Sequence, residues 1–231
     1  MSALLSIDES LFRFVNQKLA NPVFDVLMPF LSGNQLFIPA VVVIVLLMLW
    51  RGGCKGRIYV LMIAILLGLG DPFVCNPLKH YIERPRPFVT LPDARQPGKE
   101  KDKMASQDES PSGTPQTNPR RALNSMPSAH AFNWGALAMI TFIYYRRSWR
   151  FMVPLALAIS FSRIYNGVHY PGDVLVGLLL GATYAFSGII ALNALWGSLG
   201  KKFFPAWQSR LPNLAQPKVE SVKATDCRAK E

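Results

Sequence analysis

Two histidines, a carboxylate, a hydroxyl and three cations fall in three short blocks of this 231-residue chain. In the first, Lys79 is followed after six residues by Arg86-Pro87. In the second, Ser128 and His130 stand in Pro127-Ser128-Ala129-His130. The third runs from Ser162-Arg163 through His169 to Asp173. A phosphate ester is a charged anion with a poor leaving group. Cutting it without a metal requires cations that stabilise charge on the nonbridging oxygens. It also requires a nucleophile for phosphorus and a proton donor for the leaving oxygen. These side chains supply each part.

His169 and Asp173 are four residues apart, so a helix starting nearby sets them on one face. Pro171-Gly172 makes this a helix entry. A carboxylate on one imidazole nitrogen fixes the tautomer and leaves the other nitrogen free to attack. Taken alone, the pair also reads as a capping Asp beside an interfacial His. Ser128 and His130 open an apolar run, where free backbone N–H groups and the positive helix end suit a phosphate. Pro127 fits a first helical turn, and Ser is equally a common N-cap. Lys79, Arg86 and Arg163 are candidate phosphate clamps, the arginines able to grip two oxygens at once. Pro85 and Pro87 stiffen the chain around Arg86. Singly, each cation reads as an interfacial side chain that snorkels to water. Arg84, Glu83 and His80 carry no assignment. Asp71, inside an apolar run, suggests a polar contact at depth.

The elements that must position these residues are apolar. Half of the residues are hydrophobic and 17% are charged, against about a quarter charged in soluble domains. The charges are clumped, leaving runs at Leu36–Trp50, Ile58–Leu78, Pro127–Tyr145, Trp149–Ile164 and Val174–Leu199. A full membrane span takes ~20 apolar residues. The pattern predicts an all-α polytopic transmembrane helical bundle of five to six spans. Asn21–Phe30 is the uncertain sixth, too brief to cross alone. Residues 1–34 form an N-terminal segment whose first 20 residues read as an interfacial amphipathic helix. They lack the basic start of a cleaved signal. Residues 35–200 form the membrane-embedded domain, with 88–125 as a solvated polar outer loop, and 201–231 form a polar tail.

The net charge of +11 does not mark a nucleic-acid binder, because the basic residues sit in short turns, the polar loop and the tail. Arg51, Lys55 and Arg57, then Arg146, Arg147 and Arg150, then Lys201 and Lys202 all fall on one side of five spans. The positive-inside bias makes that side cytoplasmic and sets the three polar blocks at the outer face. Cys54, Cys75 and Cys227 match no zinc or redox spacing.

Lys-x6-Arg-Pro, Pro-Ser-x-His and Ser-Arg-x5-His-x3-Asp, in this order, resemble the type 2 phosphatidic acid phosphatase superfamily. The motifs cover Lys79 to Asp173, and one position departs, Ala129 standing where that family usually has Gly. The resemblance implies His169 as a nucleophile forming a phosphohistidine, Asp173 as its orienting partner and His130 as general acid. It implies phosphate binding by Lys79, Arg86, Ser128 and Arg163, with the Ala129 N–H assisting, and no cofactor or metal. It further implies a bacterial inner-membrane enzyme with a periplasmic site. The substrate would be a phospholipid or isoprenoid phosphate: undecaprenyl diphosphate, phosphatidylglycerophosphate, lipid A or phosphatidic acid. The alternatives are a lipid phosphotransferase using the same intermediate, an enzyme like the vanadium haloperoxidases, to whose fold the resemblance extends, or a non-catalytic lipid-binding protein. No nucleic acid is implied, and protein partners are left open.

Overall fold

The computed structural model describes residues 2–33, 37–97 and 123–215. Among them every regular element is helical. Helix α1 spans Ser2–Arg13 and continues through a π-helical turn, Phe14–Lys18. Helix α2, Pro22–Ser32, is capped by Asn21, whose side chain accepts from the Phe24 N–H. Helix α3 is Phe37–Arg51. Helix α4, Gly53–Gly70, passes through a π-helical turn at Asp71–Cys75 into α5, Asn76–Ile82. Pro72 and Pro77 lie along that junction, where each removes a backbone donor and loosens the regular ladder. After the short α6, Pro87–Thr90, come α7, Ala129–Tyr144, and α8, Trp149–Tyr165. Helix α9 is Pro171–Leu195, followed by the short α10, Lys201–Phe203, and α11, Pro205–Arg210.

The five apolar runs thus become α3, α4–α5, α7, α8 and α9. Residues 53–90 and 171–203 are long and apolar enough to cross a bilayer by length and composition. Helices α3, α7 and α8 have 15, 16 and 17 residues. At ~1.5 Å per residue they fall a little short of a ~30 Å hydrocarbon core. The uncertain element is α2, 11 residues long and only half a span.

Helix α7 is the centre, packed against α9 above all. The contact works because glycine lets the backbones approach. A Cβ on Gly181 would stand 2.0 Å from the Phe132 carbonyl oxygen, and one on Gly135 would stand 2.4 Å from that of Leu178. Gly177 and Gly181 lie one turn apart on α9, the small-residue spacing that joins membrane helices closely. Around this seam Met62, Leu66, Ile140, Tyr144 and Ile189 form one buried cluster. Outward, Ile44 of α3, Phe151 of α8 and Leu179 of α9 stay more than half exposed. An apolar outer face of this kind fits lipid better than water.

The helices alternate in direction, which sorts the charges. Lys55 Nζ lies 4.8 Å from the Tyr145 ring, joining two basic turns at one end of the bundle. Residues of the expected tail pack there too: Tyr144 Oη donates to the Leu214 carbonyl at 2.7 Å. The polar blocks gather at the opposite end. In the loop read at 88–125, Leu91 and Ser125 are buried. The reason is apolar and polar anchoring: Leu91 joins a core cluster with Phe12, Ile164 and Tyr170. Residues 98–122 of that loop lie outside the described residues.

Candidate active site

The site begins where α8 ends. Asn166 and Gly167 N–H groups bond back to the Ser162 and Ile164 carbonyls, closing the helix. Gly167 adopts φ +72, the left-handed conformation that favours glycine. The turn delivers His169 to a buried position, 2% exposed. Pro171 then starts α9 at its first helical position, where a missing N–H costs nothing. Asp173 therefore lies in the first turn, where the helix end favours negative charge.

Asp173 Oδ2 stands 3.7 Å from His169 Nδ1, beyond hydrogen-bond range and within electrostatic reach. Ser125 closes the gap, its Oγ donating to Asp173 Oδ2 at 2.5 Å and lying 3.5 Å from His169 Nδ1. The Tyr170 N–H also donates to Asp173 Oδ2, at 2.9 Å. All these contacts hold the Nδ1 side of the ring. Burial pushes the His169 imidazole down to about 4. Asp173 pulls upward, while the charges of Arg86 and Arg163 push down. The ring is thus neutral at physiological pH.

The second block arrives on α7. Ser128 is the N-cap residue, and its N–H donates to the Asp173 carbonyl at 3.1 Å, tying the starts of α7 and α9 together. Its hydroxyl is buried without a partner. Ala129 and His130 occupy the first helical positions, whose N–H groups have no acceptor within the helix. His130 is half-buried and feels the charges of Arg163, Lys79 and Arg86 and the His169 ring. Arg163, in the last turn of α8, donates from Nη1 to Ser32 Oγ, and its Nε is buried without a partner. Lys79 lies in the last turn of α5, and Arg86 donates from Nη2 to the Asn124 carbonyl at 3.4 Å. The sequence-derived residues therefore converge at one end of the bundle, from α5, α7, α8 and α9. His80 points outward and does not join them. Asp71 has a buried Oδ1 without a partner.

Three contributors escaped the sequence. Arg84 donates to Asp173 Oδ1 at 2.7 Å and to Asp8 Oδ2 at 2.6 Å. The two carboxylates offset the cost of burying its charge. Ser125 touches both members of the His169–Asp173 pair, and Ser32 holds Arg163. Arg84 left a trace as a second arginine beside the motif; Ser125 and Ser32 left none. A cluster of cations and hydroxyls around a buried neutral imidazole can hold a phosphoryl group and attack it.

Comparison with known proteins gives the same direction. Residues 55–196 match the PAP2 superfamily. A bacitracin transport permease protein of Bacillus licheniformis is 30% identical over 107 residues, 46% of this chain and 50% of that protein. A lipid A 4'-phosphatase of Bacteroides thetaiotaomicron is 28% identical over 184 residues, 77% of this chain and 73% of that one. This chain thus spans only half the length of the first relative. Among solved structures, a transmembrane PAP2-type phosphatidylglycerolphosphate phosphatase of Bacillus subtilis aligns with a TM-score of 0.53 at 22% identity. The alignment covers 81% of this chain and 85% of that one.

Proposed function

The chain belongs to the PAP2 superfamily, and from that premise we propose that it hydrolyses a phosphate monoester or diphosphate lipid through a phosphohistidine. The observation that carries this reading is the buried His169, with Ser125 and Asp173 on its Nδ1 side and Arg86 and Arg163 within electrostatic reach.

Nδ1 is engaged by the Asp173 and Ser125 side, so Nε2 is the attacking atom. It forms a bond to phosphorus as the phosphorus–oxygen bond to the lipid breaks. His130 gives a proton to the departing oxygen. Water then attacks the phosphohistidine, His130 takes its proton, and inorganic phosphate leaves. Arg86, Arg163 and Lys79 hold the nonbridging oxygens, whose charge is redistributed in the transition state. The Ser128 hydroxyl and the first N–H groups of α7 donate to the same oxygens. The cations meet the phosphate charge directly, so no metal enters the scheme.

The substrate is a lipid phosphate in the bilayer, of the undecaprenyl diphosphate, phosphatidylglycerophosphate, lipid A or phosphatidic acid type. Its head meets the polar end of the bundle while its tails remain among apolar helix faces. We place this in a bacterial inner membrane, with five spans and the site facing the periplasm. The test is phosphate release by purified, detergent-solubilised protein from those four lipids, with chelator present, beside His169→Ala. Chelator-resistant release that is lost in the variant is expected. Release that needs added metal, or that survives in His169→Ala, contradicts the mechanism.

A further inference from the structure

We propose that Arg84, braced by Asp8 of the N-terminal helix, is the positioning residue that holds Asp173 in place behind His169. This inference rests on the phosphohistidine reading and extends it to residues outside the three motifs.

The Arg84 guanidinium forks between two carboxylates. Nη1 donates to Asp173 Oδ1 at 2.7 Å, and Nη2 donates to Asp8 Oδ2 at 2.6 Å. The side chains are nearly out of water: Arg84 is 16% exposed, Asp8 13% and Asp173 0%. The plane of the fork is fixed from below, since Arg84 Cζ sits 4.2 Å from the Tyr170 ring centre. Tyr170 Oη and Thr90 Oγ1 are themselves hydrogen-bonded at 2.7 Å. The Arg84 backbone joins in, its carbonyl accepting from the Ser125 N–H at 2.9 Å. One residue therefore fixes both neighbours of the imidazole, Asp173 by its side chain and Ser125 by its main chain.

Asp8 completes the brace. Its Oδ1 accepts from the Gly172 N–H at 2.7 Å, between His169 and Asp173. Four residues on, and so on the same face of α1, Phe12 is fully buried and packs on Tyr170 at 5.5 Å between ring centres. Helix α1 is thereby seated on the turn that carries His169. Charge gives Asp8 a second task. Arg84 alone would neutralise Asp173. With Asp8 present the trio keeps one net negative charge, which favours the cationic imidazole that arises when Nε2 bonds to phosphorus.

The fork also sets the carboxylate orientation. With Oδ1 tied to Arg84, Oδ2 is left for Ser125 and the imidazole. Without the fork, Asp173 keeps its Oδ2 contacts to Ser125 and the Tyr170 N–H but loses the partner of Oδ1, so the carboxylate is held less exactly behind the ring while the phosphate clamps remain. Turnover should suffer more than binding.

Three variants test this in the full-length protein: Arg84→Met, Arg84→Lys and Asp8→Asn. For Arg84→Met we expect kcat to fall about ten- to a hundred-fold, the scale known for outer partners that orient metal-ligating histidines. KM should change by less than about threefold, the signature of a group acting in the transition state. Arg84→Lys restores the charge but not the fork and should recover little of kcat. Asp8→Asn, a milder change, should lower kcat with KM unaltered. An independent readout is the titration of His169 by NMR, assigned among three histidines with a His169→Asn control. His169 faces Asp173, Arg86, Arg163 and His130. Removing Arg84 leaves the Asp173 carboxylate unbalanced on the Nδ1 side of the ring, so the His169 pKa should rise. Wild-type kcat and an unmoved His169 titration in Arg84→Met would overturn the proposal and leave the fork as packing. If Arg84→Met does not fold, Arg84→Lys and Asp8→Asn decide by the same measures. If the wild type releases no phosphate from any lipid, the functional reading fails, while the titration still decides the positioning role.

Discussion

His169 is held out of water among cations, and that environment sets when it can act. Its pKa lies at about 4 in the folded protein, below the ordinary 6.5, because burial disfavours the charged ring. The imidazole should stay neutral, by NMR titration, down to about pH 5. Stability follows by linkage. Between pH 6.5 and about 4 the unfolded chain takes up a proton at this residue and the folded chain does not. Stability therefore falls as pH drops through that window and is unaffected by this group above it. His169→Asn should remove that part of the acid destabilisation, read from thermal unfolding in detergent. The motif residues were legible because their types and spacing are specific to one chemistry. Ser125 and Arg84 were not, since they reach Asp173 from 48 and 89 positions away, and Asp8 was not, since it reaches the Gly172 N–H from 164 positions away. Sequence spacing carries no sign of such contacts.

At the scale of elements, the active site depends on how closely α7 approaches α9, because Ser128 and Asp173 share a backbone hydrogen bond at their starts. Gly181 permits that approach. In Gly181→Val the Cβ would lie 2.0 Å from the Phe132 carbonyl oxygen, so the helices must separate. A loss of about 1–3 kcal/mol is expected, as for other overpacked interiors. It would be read as a lowered unfolding midpoint, with kcat falling as the site loosens. Gly197→Ala is the control, since a Cβ there meets nothing within 4 Å. The apolar runs predicted α3, α4, α7, α8 and α9 well, because a long uncharged stretch permits little else. The π-helical turn at Asp71–Cys75 was invisible, as two prolines signal a break without its form. The seating of α1 was half legible. Its amphipathic pattern gave an interfacial helix, but nothing in that pattern pointed Asp8 to Arg84 and the Gly172 N–H.

For the whole molecule, the bundle separates two surfaces, with basic turns at one end and the polar cluster at the other. The proposed topology, drawn from the positive-inside bias, puts the basic end in the cytoplasm. In a protein freed of Cys54, Cys75 and Cys227, a cysteine at Tyr81, 88% exposed beside the site, should react with an impermeant reagent added from the periplasm. A cysteine at Arg147 should not. The reverse pattern would invert the topology and put the chemistry on the cytoplasmic face. The most direct test of the central claim is a rapid-quench search for the covalent intermediate. Purified protein would be mixed with a lipid diphosphate labelled in its terminal phosphate and stopped within the first turnover. The account predicts label on the wild-type protein in an acid-labile, alkali-stable linkage, absent from His169→Ala and decaying as phosphate appears. Phosphate release at full rate with no protein-bound label at any time would show that water attacks the lipid directly and would contradict it.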